Sequence, residues 1–231
     1  MDLICLHTGP LAVNTLIVPI CENKVFVVDP ANCDFSHDRK TLVSYLEENK
    51  LEPIAIVLTH GHFDHVSGIA PLIESYPSLP IAIHGSDAIY LGNTAYAIQG
   101  LSLEKMVFKE FLPYVIDLPD AKYFLQDEKS LADTFASLNF SDEIKTALKN
   151  WIVLHTPGHT PGSVCLYNEA ESILISGDTI FYHSWGRTDL AGGNESRIQK
   201  SISKIMSRCS ENSKVYPGHE KVNFLLKNTF N

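Results

Sequence analysis

Three imidazoles and a carboxylate fall within six residues at His60-Gly-His62-Phe-Asp64-His65. Both groups are ordinary ligands of borderline divalent metals, and zinc takes nitrogen at roughly 2.0–2.1 Å. The cluster follows directly on Pro53-Ile-Ala-Ile-Val-Leu-Thr59, an apolar run that reads as a buried strand. His60 and His62 are two apart, so in extended chain they project to one side and can share an ion. Asp64 and His65 come once the chain has begun to turn, and can face a second ion about 3.5–4 Å from the first. Because the chain has ten histidines, a chance cluster is the competing reading. The position at the end of a buried-type strand weighs against it.

Later apolar runs also end in donors. Trp151–Leu154 leads into Thr156-Pro-Gly-His159-Thr-Pro-Gly-Ser163, where two Pro-Gly pairs make a sharp yet rigid loop around one histidine. Ser172–Ile175 leads into Ser176-Gly-Asp178, and Lys214–Tyr216 into Pro217-Gly-His219-Glu220. Strand ends are where α/β sites are usually built. Two ions with open positions can be assembled from this set. His60, His62 and His159 would hold the first, Asp64, His65 and His219 the second, and Asp178 would bridge. Taken singly, each late residue has a blander reading, as a structural hydrogen-bonder or a turn cap. His7, His37, His84, His155 and His183 stay outside the ligand set. His84 and His155, at strand ends, are placed to support ligands by hydrogen bonds.

These donors need elements to carry them. Leu11–Pro19 and Lys24–Val28 read as a hairpin, Asp38–Lys50 as a helix, Ile54–Leu58 as a strand, and about 67–76 as a helix stopped by Pro77. Ile81–His84 is a short strand. From about 85 to 150 the pattern turns helical and aromatic, which predicts a mostly helical insertion over the site. Strands resume at Trp151–Leu154, Ser163–Tyr167, Ser172–Ile175 and Lys214–Tyr216, with a helix over about 195–209. No flexible linker interrupts 1–231, so a single domain of α/β class is expected.

Composition narrows the function classes. A hydrophobic content of 45% with 19% charged residues is that of a soluble globular chain. A formal charge of −9 argues against a nucleic-acid surface. No run approaches the about 18 apolar residues of a membrane span, and the acidic N-terminus is unlike a signal peptide. Five scattered cysteines with no Cys-x-x-Cys spacing fit reduced thiols in the cytoplasm. The oligomeric state is left open.

The motifs HxHxDH at 60–65, TPGHTPGS at 156–163, SGDTIF at 176–181, GRTDLAGG at 186–193 and YPGHE at 216–220 together resemble the metallo-β-lactamase superfamily. The resemblance implies a four-layer αββα sandwich with a dinuclear site at one edge of two facing sheets. It is nearest to hydrolases related to glyoxalase II, the hydroxyacylglutathione hydrolases, in a short bacterial form. Glyoxalase II enzymes carry a C-terminal helical extension that helps hold glutathione, and only twelve residues follow His219 here. The implied cofactor is a pair of divalent metal ions, zinc first, with iron or manganese as alternatives. The implied reaction is hydrolysis of a small-molecule thioester, such as an S-2-hydroxyacylglutathione, by a hydroxide held between the ions. Asp64 is then a candidate proton acceptor as well as a ligand. Tyr182, His183, Trp185 and Arg187, just past Asp178, are candidate substrate contacts, and Arg187 could instead pair with Asp189. The competing reactions on this fold are persulfide oxidation at a single iron and lactone or β-lactam hydrolysis.

Overall fold

The computed structural model describes residues 2–230. Lys24-Val-Phe-Val-Val28 shows why two layers form around one sheet. Val25 and Val27 face one side and Phe26 and Val28 the other, and all four are buried. The first sheet is β1 (Ile4–Thr8), β2 (Val13–Cys21), β3 (Lys24–Val28), β4 (Glu52–Val57), β5 (Ile81–His84) and β6 (Tyr123–Leu125), in that spatial order. Its first three strands pair antiparallel and β3 to β6 pair parallel. The second sheet contains β7 (Trp151–His155), β8 (Val164–Asn168) and β9 (Ile173–Gly177). A small ribbon of β10 (Ile180–Phe181) and β11 (Ser184–Trp185) leads on to β12 (Lys214–Pro217) and β13 (Phe224–Leu225), which complete the second sheet in the order β13-β12-β9-β8-β7.

The two sheets pack face to face. Leu16, Val18, Phe26, Val28 and Val57 of the first meet Val153, Val164, Leu166, Ile173 and Ile175 of the second. Phe26 and Trp151 lock this layer edge to face, with centroids 5.4 Å apart. On the first sheet's outer face lie the helices α1 (Thr41–Glu48), α2 (Phe63–Val66) and α3 (Ile69–Ser75), with Leu42, Leu46, Ile69 and Leu72 packed on Val25, Val27 and Ile56. The chain then supplies α4 (Ala95–Lys105), α5 (Leu131–Thr134), α6 (Asp142–Lys149) and α7 (Glu195–Arg208). Helix α7 covers the second sheet's outer face through Ile198, Ile202 and Ile205, one stripe at helical spacing. The order of layers is therefore α, β, β, α. Among the described residues no helix is long and apolar enough to cross a membrane.

The segment 85–150 divides into two parts. Leu91, Leu103, Phe111 and Val115 join the outer core of the first sheet beside Phe63. Phe35, Phe108, Phe111 and Tyr114 pack there as an aromatic cluster. The second half does something else. Tyr123–Leu125 extends the first sheet, and Leu131, Phe135, Ile144 and Leu148 enter the core between the sheets. Helical cover near the metal loop thus comes from α4 and its neighbours, and α5 and α6 close the sandwich. Two shorter corrections apply. The helix expected from about 67 is broken at Gly68, whose N–H donates to Pro30 O (2.8 Å). Helix α1 starts at Thr41 because Asp38 is engaged earlier, accepting from Gly9 N and Cys33 N.

Candidate metal centre

Four strands bring donors to one end of the sandwich. β4 runs into His60 and His62, β7 into the loop of His159, β9 into Asp178 and β12 into His219. Asp64 and His65 lie on the single turn of α2. All except the partly exposed His219 are buried. His60, His62 and His159 form one group of potential ligand atoms within 4.8 Å of one another, Asp64, His65 and His219 form a second, and Asp29, His60 and His65 form a third that overlaps both. Asp178 stands between the first two groups. One of its oxygens is 3.5 Å from His65 Nε2, and the other is 3.5 Å from His159 Nε2 and 3.6 Å from His219 Nε2. All seven sequence-predicted ligands therefore converge.

The surrounding hydrogen bonds decide which ring nitrogens face inward. His159 Nδ1 is 2.8 Å from Arg187 O and His219 Nδ1 is 3.1 Å from Leu11 O. A carbonyl only accepts, so both Nδ1 atoms carry the proton and both Nε2 atoms present lone pairs. His65 Nδ1 donates to Asp29 Oδ2 (2.9 Å). Thr59 Oγ1 donates to the same oxygen (2.6 Å), so the hydroxyl is left to accept from His60 Nδ1 (3.1 Å). Every Nε2 of these four histidines is thus turned inward as an acceptor. The result is a set of ligand nitrogens crowded together. His65 Nε2 and His219 Nε2 are 3.2 Å apart, and His62 Nδ1 and His159 Nε2 are 2.8 Å apart. Among the described residues, His60 Nε2, His62 Nε2 and Asp178 Oδ1 are buried with no hydrogen-bond partner. Such an arrangement fits divalent cations between the donors, and imidazole with carboxylate suits zinc, iron or manganese.

The electrostatics agree. Burial, reinforced by neighbouring histidines, holds His60 and His62 well below the usual imidazole range. Burial opposes charge on His65 too, yet Asp178, Asp64 and Asp29 together raise it to about 10. Asp64 is held low by His65 and His219 against its own desolvation. A cation placed here replaces protons that the carboxylates would otherwise draw in.

Asp29 is a functional residue that the sequence reading passed over. It follows β3 as the ligands follow their strands, but Asp29-Pro30 also reads plainly as a strand breaker. The supporting roles expected of His84 and His155 belong instead to Asp29, Thr59 and two main-chain carbonyls. His84 and His155 stack on each other, centroids 4.0 Å apart, and His155 Nε2 meets Pro161 O (3.0 Å).

Above the donors opens a cavity of about 280 Å³. Leu11, Phe63, Met106, Phe181 and Leu190 give it an apolar wall, with Arg187 and Glu220 among its polar groups. Of the four candidate substrate contacts only Arg187 lines it, and its guanidinium is paired with Asp189 (2.7 and 2.9 Å). Tyr182, His183 and Trp185 are not among the lining residues. The β10–β11 turn packs them on the C-terminal segment. Tyr182 lies against Phe224, His183 N donates to Thr229 O (2.8 Å), and the Trp185 ring meets Phe230.

A buried, two-part set of nitrogen and carboxylate donors at the shared edge of two packed sheets is the centre of a metal-dependent enzyme with a hydrolase fold. The family model of the metallo-β-lactamase superfamily matches residues 8–219, and the chain belongs to that superfamily. It is 27% identical over 212 residues to the probable metallo-hydrolase YqgX of Bacillus subtilis, covering 91% of this chain and 86% of the relative. The probable metallo-hydrolase MJ0888 of Methanocaldococcus jannaschii is 30% identical over 212 residues, covering 88% and 86%. Among solved structures, the B3 metallo-β-lactamase BLEG-1 matches with a TM-score of 0.78 at 28% identity, covering 98% of this chain and 95% of that one. TTHA1623, solved in a di-iron-bound form, matches with a TM-score of 0.71 at 26% identity, covering 98% and 96%.

Proposed function

We propose that the chain hydrolyses a small thioester or related ester at a dinuclear centre, with zinc as the resident metal. The observation that supports this is the set of seven donors, His60, His62 and His159 to one side of Asp178 and Asp64, His65 and His219 to the other, which is more than one ion needs. His60, His62 and His159 would hold one ion and Asp64, His65 and His219 the other, with Asp178 shared. Bound there, divalent metal supplies Lewis acidity that polarises a carbonyl and makes water nucleophilic near neutral pH. The chain's own groups do the rest. Phe63, Met106, Phe181 and Leu190 exclude bulk water and receive the apolar part of the acyl group. Asp64, at the cavity floor, accepts a proton from the attacking water. A thiolate is a weak base and leaves without a dedicated general acid. Because Arg187 is already paired with Asp189, the cavity makes no strong demand for an anionic carrier. Hydroxyacylglutathiones are then one member of the substrate class.

The test is a panel of thioesters, including S-lactoylglutathione, with a lactone and a β-lactam beside them, on protein of measured metal content. Expected are two metal ions per chain and thioester turnover that chelation abolishes and zinc restores. One iron per chain with oxygen uptake on a persulfide, or turnover confined to the β-lactam, would overturn the proposal.

A further inference from the structure

The peptide unit of Gly61 lies between the ligands His60 and His62, and residues after β5 hold it. Its N–H donates to Asp87 Oδ2 (3.0 Å) and its carbonyl accepts from Gln99 Nε2 (2.8 Å). Asp87 sits in the 3₁₀ turn Gly85–Tyr90 and is fully buried. The same carboxylate reaches the second ligand loop. Oδ2 accepts from Thr160 Oγ1 (2.6 Å) and Oδ1 from Gly162 N (2.6 Å), on the segment that carries His159. A β-carbon on Gly162 would lie 2.6 Å from Asp87 Cγ, so carboxylate and loop are in close contact. None of the hydrogen bonds that Asp87 accepts comes from Asp64, His65, Asp178 or His219.

The second donor group has a different anchor. Asn14 Nδ2 donates to Pro217 O (2.9 Å) and Glu220 O (3.2 Å), and Asn14 N donates to Gly218 O (2.7 Å), bracketing His219.

We propose that Asp87 is a positioning residue for one ion only: a single buried carboxylate ties the two loops that bring His60, His62 and His159 together, while Asn14 independently holds the His219 loop. The proposal rests on the dinuclear reading above. Three donors converge on two carboxylate oxygens. An asparagine offers one acceptor oxygen and turns an N–H₂ toward the remaining donors, so either Gly162 N or the pair Gly61 N and Thr160 Oγ1 loses its acceptor and the tie between the loops is weakened. The side-chain volume is unchanged, and the fold should survive.

Zinc binding to Asp87→Asn and to the wild type is measured by competition with a chromophoric chelator, alongside apo-protein melting. Zinc anomalous scattering from crystals grown at one equivalent of metal then reads which donor group is filled. In D87N the His60–His62–His159 group should bind at least about tenfold more weakly, as outer-shell losses do. The Asp64–His65–His219 group should stay within about twofold and be filled first. Asn14→Ser should give the reverse order of filling. Equal weakening of both groups in D87N, or an occupancy pattern like that of the wild type, would overturn the clamp. Should the wild type bind a single ion at the His60 group, the dinuclear reading fails. The clamp is then still decided by whether D87N weakens that ion.

Discussion

Replacing Asp29 by asparagine tests the chain of hydrogen bonds that fixes the histidine tautomers. The exchange suits the backbone, because Asp29 has φ +49° and asparagine tolerates the left-handed region well. Three donors meet the carboxylate: Thr59 N at Oδ1 (2.8 Å), and Thr59 Oγ1 (2.6 Å) and His65 Nδ1 (2.9 Å) at Oδ2. An amide can replace only one of the two oxygens. With its oxygen kept toward Thr59 N, its N–H₂ faces Thr59 Oγ1, which must turn to accept from it, and His65 Nδ1. That nitrogen must then accept, which moves the imidazole proton to Nε2, where the ligand lone pair was. With the amide reversed, two N–H groups oppose each other at Thr59, at a cost of about 1–3 kcal/mol for a buried unsatisfied donor. The first orientation is therefore preferred and the loss falls on the Asp64–His65–His219 group. Outer-shell changes of this kind cost 10–100-fold in metal affinity, or about 1.4–2.7 kcal/mol. The assay is stepwise zinc binding against a chelator, with nitrogen-15 NMR of the imidazoles reporting which nitrogen of His65 is protonated. The Thr59 hydroxyl has a second lone pair for His60 Nδ1, so the first group should change less than the second. Unchanged affinity in D29N with His65 still protonated at Nδ1 would refute the tautomer reasoning.

Asp178→Ala should lower metal content and ester hydrolysis together, by at least about 100-fold in kcat/KM, since a ligand lost costs no less than an outer partner; turnover at full metal loading would remove the bridging role. Gly218→Ala places a methyl against Asp178 Oδ1 and 2.7 Å from His65 Cε1, so metal at the second group should be lost while the melting temperature stays within a few degrees; normal metal content there would show that the site has slack. Burial lifts the Asp87 carboxyl from 3.8 to about 6, against the donors that favour its charge. The folded chain thus holds a proton that the unfolded chain has released between about pH 4 and 6, and stability falls by up to about 1.4 kcal/mol per pH unit across that window. Chemical denaturation of the apo-protein should show a shallower fall in D87N than in the wild type, and identical slopes would mean that Asp87 does not titrate there.

The donors were legible because each follows an apolar run and is flanked by turn residues, so type and position pointed the same way. Asp29 obeys the same rule and was hidden by its proline, which accounts for the end of a strand without any further role. Other features depend on partners far along the chain. β6 is three residues long and is a strand only because β5 pairs with it. The helical pattern within 85–150 does not reveal the surface that α6 covers, the inter-sheet core made by β2 and β7. Asp87 lay in a stretch with no motif, and its importance comes from two loops that meet only in the folded chain. Tyr182, His183 and Trp185 were placed at the substrate because they are close to Asp178 in sequence, and the two-residue ribbon strands reverse the chain before they reach the cavity.

The centre is costly to the fold that carries it. Ligand atoms are crowded together in a buried site, and among the described residues His60 Nε2, His62 Nε2 and Asp178 Oδ1 have no hydrogen-bond partner, each a penalty of about 1–3 kcal/mol. Neither the strand ends nor the loops could tolerate this without support, and the support is of two kinds. Apolar layers on both faces of each sheet hold the strands, with Phe26 against Trp151 in the middle and Ile198, Ile202 and Ile205 outside. Single polar side chains then hold the loops: Asp29 and Thr59 behind His65 and His60, Asp87 across two loops, and Asn14 around a third. Because Asp87 and Asn14 are separate residues on separate elements, one donor group can be loosened without the other. A centre held by packing alone would lose both together, and independent loss is the behaviour that separates these two designs.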